Sequence, residues 1–325
     1  MIKKIISTLL LIITIKLSAA PYVTNVVAKQ RYPWGIVDIS CDVKGIEESR
    51  EIGFSIQAVL PDSGVVKKAS EVRFRGAGNA NTDGLIAAAD GNYRFVWNVN
   101  ADLGSVHYTN IVVRIGIYKI PKKVQLWEDG PYWADMNIGA NEPWESGYYF
   151  WWGDTIGYKR ENDKWVASDG SNLDFSFTSG NTPTYGKDIL TLENEGWITA
   201  EGVLALEHDA AKKHLGGKWR MPTKSEFDNL LSKCDWTWTT MNGVNGYVVC
   251  GRGDYSSASI FLPCAGDGEG ASLRSAGSYG SYWSSVPDSN ISLAWNLHFN
   301  SGTHYMGGSR RSNGQSVRPL KEFAK

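Results

Sequence analysis

The run Trp219-Arg220-Met221-Pro222-Thr223-Lys224-Ser225-Glu226-Phe227 carries the clearest local instruction in the 325-residue chain. Thr223 and Glu226 stand in the T-x-x-E spacing of a capping box, in which a hydroxyl and a carboxylate each meet a backbone N–H orphaned at a helix start. The spacing predicts a helix opening at Thr223. Phe227, Leu230, Leu231 and Cys234 then recur at i, i+3, i+4 and i+7, opposite Lys224, Asp228, Asn229 and Lys233. Such a helix buries one stripe against the rest of its domain.

On either side of this helix the pattern is short and mixed. Upstream, residues 207–215 place Ala210, Ala211, His214 and Leu215 on one helical face, with Gly216-Gly217 as a stop. Downstream, residues 259–262 and 282–286 are brief apolar strands. Leu293, Trp295, Leu297 and Phe299 alternate with Ala294, Asn296, His298 and Asn300, and residues 315–320 close the chain. Twelve of the 14 tryptophans lie beyond Pro121, among Gly, Ser and Asn loops. Two helices laid on late strands predict an α+β second domain over residues 121–325.

The first part of the chain has period two instead. Val37, Ile39, Cys41 and Val43 alternate with polar neighbours; so do Ile52 to Leu60, Tyr93 to Val99 and Val113 to Ile117. Turn-rich stretches at 61–64 and 76–81 separate strands, and no long helical period intervenes. Residues 21–120 therefore read as a small all-β sandwich of the immunoglobulin or fibronectin type. Cys41 has no cysteine partner there and reads as a small core side chain.

Residues 1–20 read as an export signal. Lys3 and Lys4 precede an apolar stretch, and Leu17-Ser18-Ala19-Ala20 supplies small residues for cleavage. The mature chain is expected outside the cytoplasm, secreted or at the surface. Losing Lys3, Lys4 and Lys16 takes the formal charge from −1 to about −4. That balance disfavours a nucleic-acid partner, and no later run is apolar enough for an integral membrane segment. Cys234, Cys250 and Cys264 lack paired C-x-x-C spacing, so a zinc site is not indicated. One bridge within that trio leaves one thiol over, and several pairings stay open.

Seven segments in order carry a resemblance: Val124-Gln125-Leu126-Trp127, Trp133-Ala134-Asp135-Met136-Asn137-Ile138-Gly139-Ala140, Tyr148-Tyr149-Phe150-Trp151-Trp152-Gly153-Asp154, Trp219-Arg220-Met221-Pro222-Thr223, Ile260-Phe261-Leu262-Pro263, Tyr282-Trp283-Ser284-Ser285 and Ser316-Val317-Arg318-Pro319. Together they resemble the Fibrobacter succinogenes major paralogous domain. The resemblance implies a C-type-lectin-like fold, distantly similar to the formylglycine-generating, sulfatase-modifying enzymes. Those enzymes use a late cysteine pair, whereas no cysteine follows Cys264 here. Calcium-dependent lectins carry a W-N-D where this chain has Trp295-Asn296-Leu297. Neither chemistry carries over by motif.

The site reading follows from loops and aromatics. In an extended run of residues 148–152 the aromatics alternate between two faces; Tyr149 and Trp151 share one, and Asp154 follows. Asn296 and His298 form a polar row, and the flanking loops add Tyr279, Tyr282, His304, Tyr305, Arg310 and Arg311. Tyr149, Trp151, Asp154, Tyr279, Tyr282, Asn296, His298, His304, Tyr305 and Arg310 are the candidate ligand contacts, for a glycan or an extracellular protein. Trp219, Arg220, Thr223, Glu226, Trp283, Trp295 and Arg318 read as structural. Asp267-Gly268-Glu269-Gly270 spaces carboxylates as in some calcium loops but lacks the further ligands of an EF-hand. Arg252-Gly253-Asp254 reads as turn chemistry. The histidines at 107, 208, 214, 298 and 304 never fall at i, i+4, and no Ser-His-Asp set stands out, so no cofactor or catalytic set is expected. A non-catalytic binding protein is the expectation; an oxidative enzyme and a purely structural surface component are its rivals.

Overall fold

The computed structural model describes residues 21–46, 50–60, 65–69, 71–74, 86–104, 107 and 112–322. The signal-type segment 1–20 and the turn stretches at 61–64 and 76–81 lie outside the described residues. Within the first hundred residues, alternation places the core. Ile36–Lys44 turns Val37, Ile39, Cys41 and Val43 inward, and Ile52–Leu60 answers with Ile52, Phe54, Ile56 and Ala58. One sheet runs Tyr22–Arg31, Ile36–Lys44, Gly91–Asn98, Val72–Phe74. The facing sheet holds Val65–Lys68, Ile52–Leu60 and Ile86–Ala87, with Val112–Lys119 also paired to Ile52–Leu60. Phe95 and Trp97 fill the space between. Cys41 sits in that core as a 0% exposed thiol, pushed up to about 11 by burial and by the neighbouring Asp42 charge.

The chain leaves the sandwich through a braced junction. Arg50 and Asp135 pair at 2.8 Å with side chains only 8% and 13% exposed, and Lys119 pairs with Glu142 at 2.5 Å. Ile120, Ala134, Leu215 and Trp219 form a small apolar cluster there, with Tyr118 packed against it.

The second half is all-β, and the α+β, lectin-type expectation for it is overturned. The described residues are 46% strand and 13% helix, arranged in many small antiparallel sheets. The capping box is present: Glu226 N–H meets Thr223 Oγ1 at 3.3 Å and Thr223 N–H meets Glu226 Oε2 at 2.8 Å. The helix it starts, Lys224–Lys233, is only ten residues long, and Ala210–Leu215 only six. These helices cover sheet surfaces and do not build a layer. A further short helix, Ile189–Asn194, was not expected; Asp188 caps it by accepting from Thr191 N–H at 2.8 Å.

Two hairpins supply the strand content that the apolar pattern alone does not show. Asp235–Met241 returns as Val244–Cys250 through Asn242-Gly243, both at positive φ (47° and 81°). Tyr158–Glu161 returns as Lys164–Ala167 through Asn162 and Asp163, at φ 48° and 59°. Two-residue loops with both φ positive match the twist of the flanking strands. The first hairpin extends through Ser259–Pro263. Its inner face, with Phe227 and Leu230 of the helix, packs around Trp133, Tyr247, Leu262, Leu297 and Phe299.

Arg220 links the opening motif to the chain end. Its guanidinium forks onto both Glu226 oxygens at 2.8 and 2.7 Å, while Trp219 and Arg220 pair with Lys321 and Leu320. Removing the cap hydroxyl by Thr223→Ala is expected to cost about 1 kcal/mol, read as a lower urea midpoint at unchanged slope. Among the described residues no helix is long and apolar enough to cross a membrane.

Candidate functional site

Three strands, Gly280–Pro287, Leu293–Phe299 and His304–Arg310, form one antiparallel sheet near the chain end. Their register sets Ser281 opposite His298 and His298 opposite Tyr305, then Trp283 opposite Asn296 and Asn296 opposite Gly307. Side chains alternate across a sheet, so these residues share one face. Tyr282, Leu297, Phe299 and His304 take the other.

That other face is core. Tyr282 is 0% exposed, its hydroxyl donating to Pro263 O at 2.7 Å, and His304 stacks on Trp236 at 4.7 Å with rings 6° from parallel. Tyr282, expected as a ligand contact, is therefore a packing residue, whereas His304 is exposed and lies flat over the half-buried Trp236 at the edge of that face. The run at 148–152 is likewise enclosed: Tyr149 is buried and donates to Ala265 O at 2.6 Å. Asp154 is buried and accepts from Ile156 and Gly157 N–H at 2.9 and 3.0 Å. It holds a turn and is only 3% exposed. Trp151 is half-buried, edge-on to Trp197 at 6.1 Å.

The first face has a closed end and an open end. At the closed end the segment from Phe150 to Trp152 and the buried C-terminal run cover Trp283 and Asn296. Trp283 Nε1 donates to Phe150 O at 2.7 Å, and Asn296 Nδ2 donates to Gln315 Oε1 at 2.9 Å. Trp295, expected in the core, is instead half-buried beneath the Lys224 ammonium at 4.8 Å. Asn296 is the deeper of the two, at 0% exposure, because both sides of this strand are covered. Trp283 and Arg318 are fully buried, and Trp219 nearly so at 5% exposure.

At the open end stand His298 and the 54% exposed Tyr305, over Gly307. A Cβ at Gly307 would lie 3.0 Å from the His298 ring and 3.2 Å from the Tyr305 ring, so glycine lets both settle on the sheet. Tyr279, 46% exposed, stands just before the first strand. His298 Nε2 lies 3.1 Å from Asn296 Nδ2 and from Ser309 Oγ, and Nδ1 lies 3.3 Å from Ser281 Oγ. An amide N–H only donates, so Nε2 accepts and the proton belongs on Nδ1. Burial lowers the His298 pKa and favours this neutral ring.

The rim is the hairpin Asp267–Glu269 and Ser272–Arg274, tied down by mutual Gly268 and Gly314 backbone bonds. Arg274 bridges Asp267, at 2.5 Å, and Glu269. Asn313 Nδ2 donates to Asp267 at 3.1 Å, and the largely exposed Arg310 approaches Glu269 at 3.5 Å. The carboxylates that suggested a calcium loop are thus committed to arginines. Among the described residues no group of three His, Cys, Asp or Glu side chains is placed to hold a metal ion.

Beneath this rim lie uncommitted polar atoms: Asn296 Oδ1, Asn313 Oδ1 and Gln315 Nε2 are buried with no hydrogen-bond partner. Asn313 and Gln315 were not among the expected contacts. Their signal is a second amide-bearing segment close to the chain end, legible only once pairing sets it beside Asn296. A cleft of about 540 Å3 also opens at the junction, lined in part by Tyr118, Ile138, Tyr148 and His214. None of the partnerless buried polar atoms lines it, and none of the expected ligand contacts does, so the sheet face is the better candidate.

All four cysteines are free thiols. Burial pushes Cys234 and Cys264 up to about 12, which suppresses the thiolate form that redox and metal chemistry require.

Residues 231–320 match a family model described as a domain of unknown function, DUF8237. The matched stretch spans the whole three-stranded sheet, its rim hairpin and Gln315. No curated protein and no solved structure matches the chain.

Proposed function

We propose that this is an exported, non-catalytic binding protein that holds a glycan on the open sheet face bearing Tyr279, His298 and Tyr305, beside the rim that Arg310 reaches. The export part rests on the signal-type segment at residues 1–20. The observation that carries the binding part is the pairing of exposed aromatic rings with buried, unsatisfied amide atoms on one rigid face. Buried polar atoms are normally satisfied, and sugar rings bring both an apolar face for aromatics and hydroxyls for amides. Both His298 nitrogens are engaged, Nδ1 with Ser281 Oγ and Nε2 with Asn296 Nδ2 and Ser309 Oγ, which fixes the ring on the face as a positioned contact.

Adjacent residues test the reading. Tyr305→Ala should weaken polysaccharide binding by about tenfold or more, as expected for an aromatic contact at the centre of an interface. His304→Ala, one residue away and stacked on Trp236 on the opposite face of the sheet, should leave affinity intact. Affinity electrophoresis and titration calorimetry read both; equal losses of affinity in the two variants would contradict the assignment.

A further inference from the structure

We propose that the ligand of this face is a neutral sugar ring read through its hydroxyls, in preference to an acidic or sulfated one; the inference rests on the glycan reading above. Charge around the rim is already balanced. Asp267 and Glu269 face Arg274 and Arg310, and Arg274 is spent on both carboxylates. An anionic group drawn to Arg310 would have to displace Glu269 and then lie beside it and Asp267. His298 adds no cation, since Asn296 donates into its Nε2.

The free atoms point the same way. Asn296 Oδ1 and Asn313 Oδ1 need donors, whereas Gln315 Nε2 needs an acceptor. A carboxylate or sulfate accepts only and leaves the Asn313 oxygen, the one nearest solvent, unmet. A hydroxyl donates and accepts at once, and vicinal hydroxyls of a neutral ring supply both together. Asn313, at 8% exposure, is the member a ring on this face reaches; Asn296 and Gln315, at 0%, lie behind it at the closed end. Tyr305 and Tyr279 supply the stacking surface.

The test uses the full chain against a neutral glucan, a neutral mannan, polygalacturonate and chondroitin sulfate. Each titration runs from about 50 to about 500 mM salt, across which an exposed ion pair is largely screened. Neutral glycan binding that changes less than about twofold across that range is expected. Asn313→Asp, which removes the amide donor to Asp267 and adds a third carboxylate, should weaken it by about tenfold with the unfolding midpoint retained to within a few degrees. If that variant does not fold, Gly307→Ala, which crowds His298 and Tyr305, should produce the same loss. Preferential, salt-sensitive binding of polygalacturonate or chondroitin sulfate that Tyr305→Ala abolishes would overturn this inference and leave the face intact. Binding of none of the four, or binding indifferent to Tyr305→Ala, would overturn the face and the inference together.

Discussion

Arg318→Ala is expected to lower the unfolding free energy by about 4 kcal/mol, among the largest single-residue losses in the second half of the chain. Arg318 is 0% exposed, and its guanidinium donates from Nε to Asn137 Oδ1 at 2.8 Å, from Nη1 to Ala134 O at 3.1 Å and from Nη2 to Phe261 O at 2.8 Å. Three segments far apart in sequence meet at one planar fork. Truncation strips charge-assisted donors from three buried acceptors and leaves a cavity. Arg318→Lys keeps the charge but not the fork, so it should recover little of the loss. Urea unfolding measures both variants; a change within about 1 kcal/mol for Arg318→Ala would remove the residue from this role.

The second large effect is on pH dependence. Burial pushes the Asp154 carboxyl from its ordinary 3.8 up to about 7, against the N–H groups of Ile156, Gly157 and Thr155 that favour the anion. Between those values the folded chain holds a proton that the unfolded chain has released. The group's contribution to stability is complete below about pH 4 and is lost as pH rises through about 7, roughly 4 kcal/mol in all at about 1.4 kcal/mol per unit. Burial also raises Asp209, with the same sign, and lowers His208, His298 and His304, which act oppositely by losing stability as pH falls below the ordinary histidine value. Comparing wild type with Asp154→Asn isolates one group. The variant should lose about 2.5 kcal/mol less stability than wild type between pH 5 and pH 8, by urea unfolding at each pH. Parallel pH profiles would refute the buried, proton-holding Asp154.

What the sequence discloses depends on whether the information is local. Thr223 and Glu226 announce their helix because both halves of the cap lie three residues apart. The sandwich strands are legible because each has one buried face. Leu293–Phe299 misleads for the opposite reason: both faces are covered, so apolar alternation assigns Trp295 to the core although Asn296 lies deeper. The α+β expectation failed because the helices are brief, while Asn242-Gly243 and Asn162-Asp163 spelled two hairpins in turn chemistry rather than in apolar period. Of the candidate contacts, Asn296, His298 and Tyr305 are brought together by register, and Arg310 by the rim hairpin. Tyr149, Asp154 and Tyr282 go to packing or turns, and His304 lies exposed against Trp236 on the opposite face of the sheet. Asn313 and Gln315 join the site through pairings with residues 46 and 19 positions away, which no local pattern encodes.

The most direct measurement is a crystal structure of the full chain with a neutral oligosaccharide bound. The account predicts a sugar ring against Tyr305, with a hydroxyl within hydrogen-bond distance of Asn313 Oδ1 and the Arg274 bridge to Asp267 and Glu269 unbroken. A ring seated instead in the junction cleft beside Tyr118 and His214, or against Trp151 and Trp197, would contradict it.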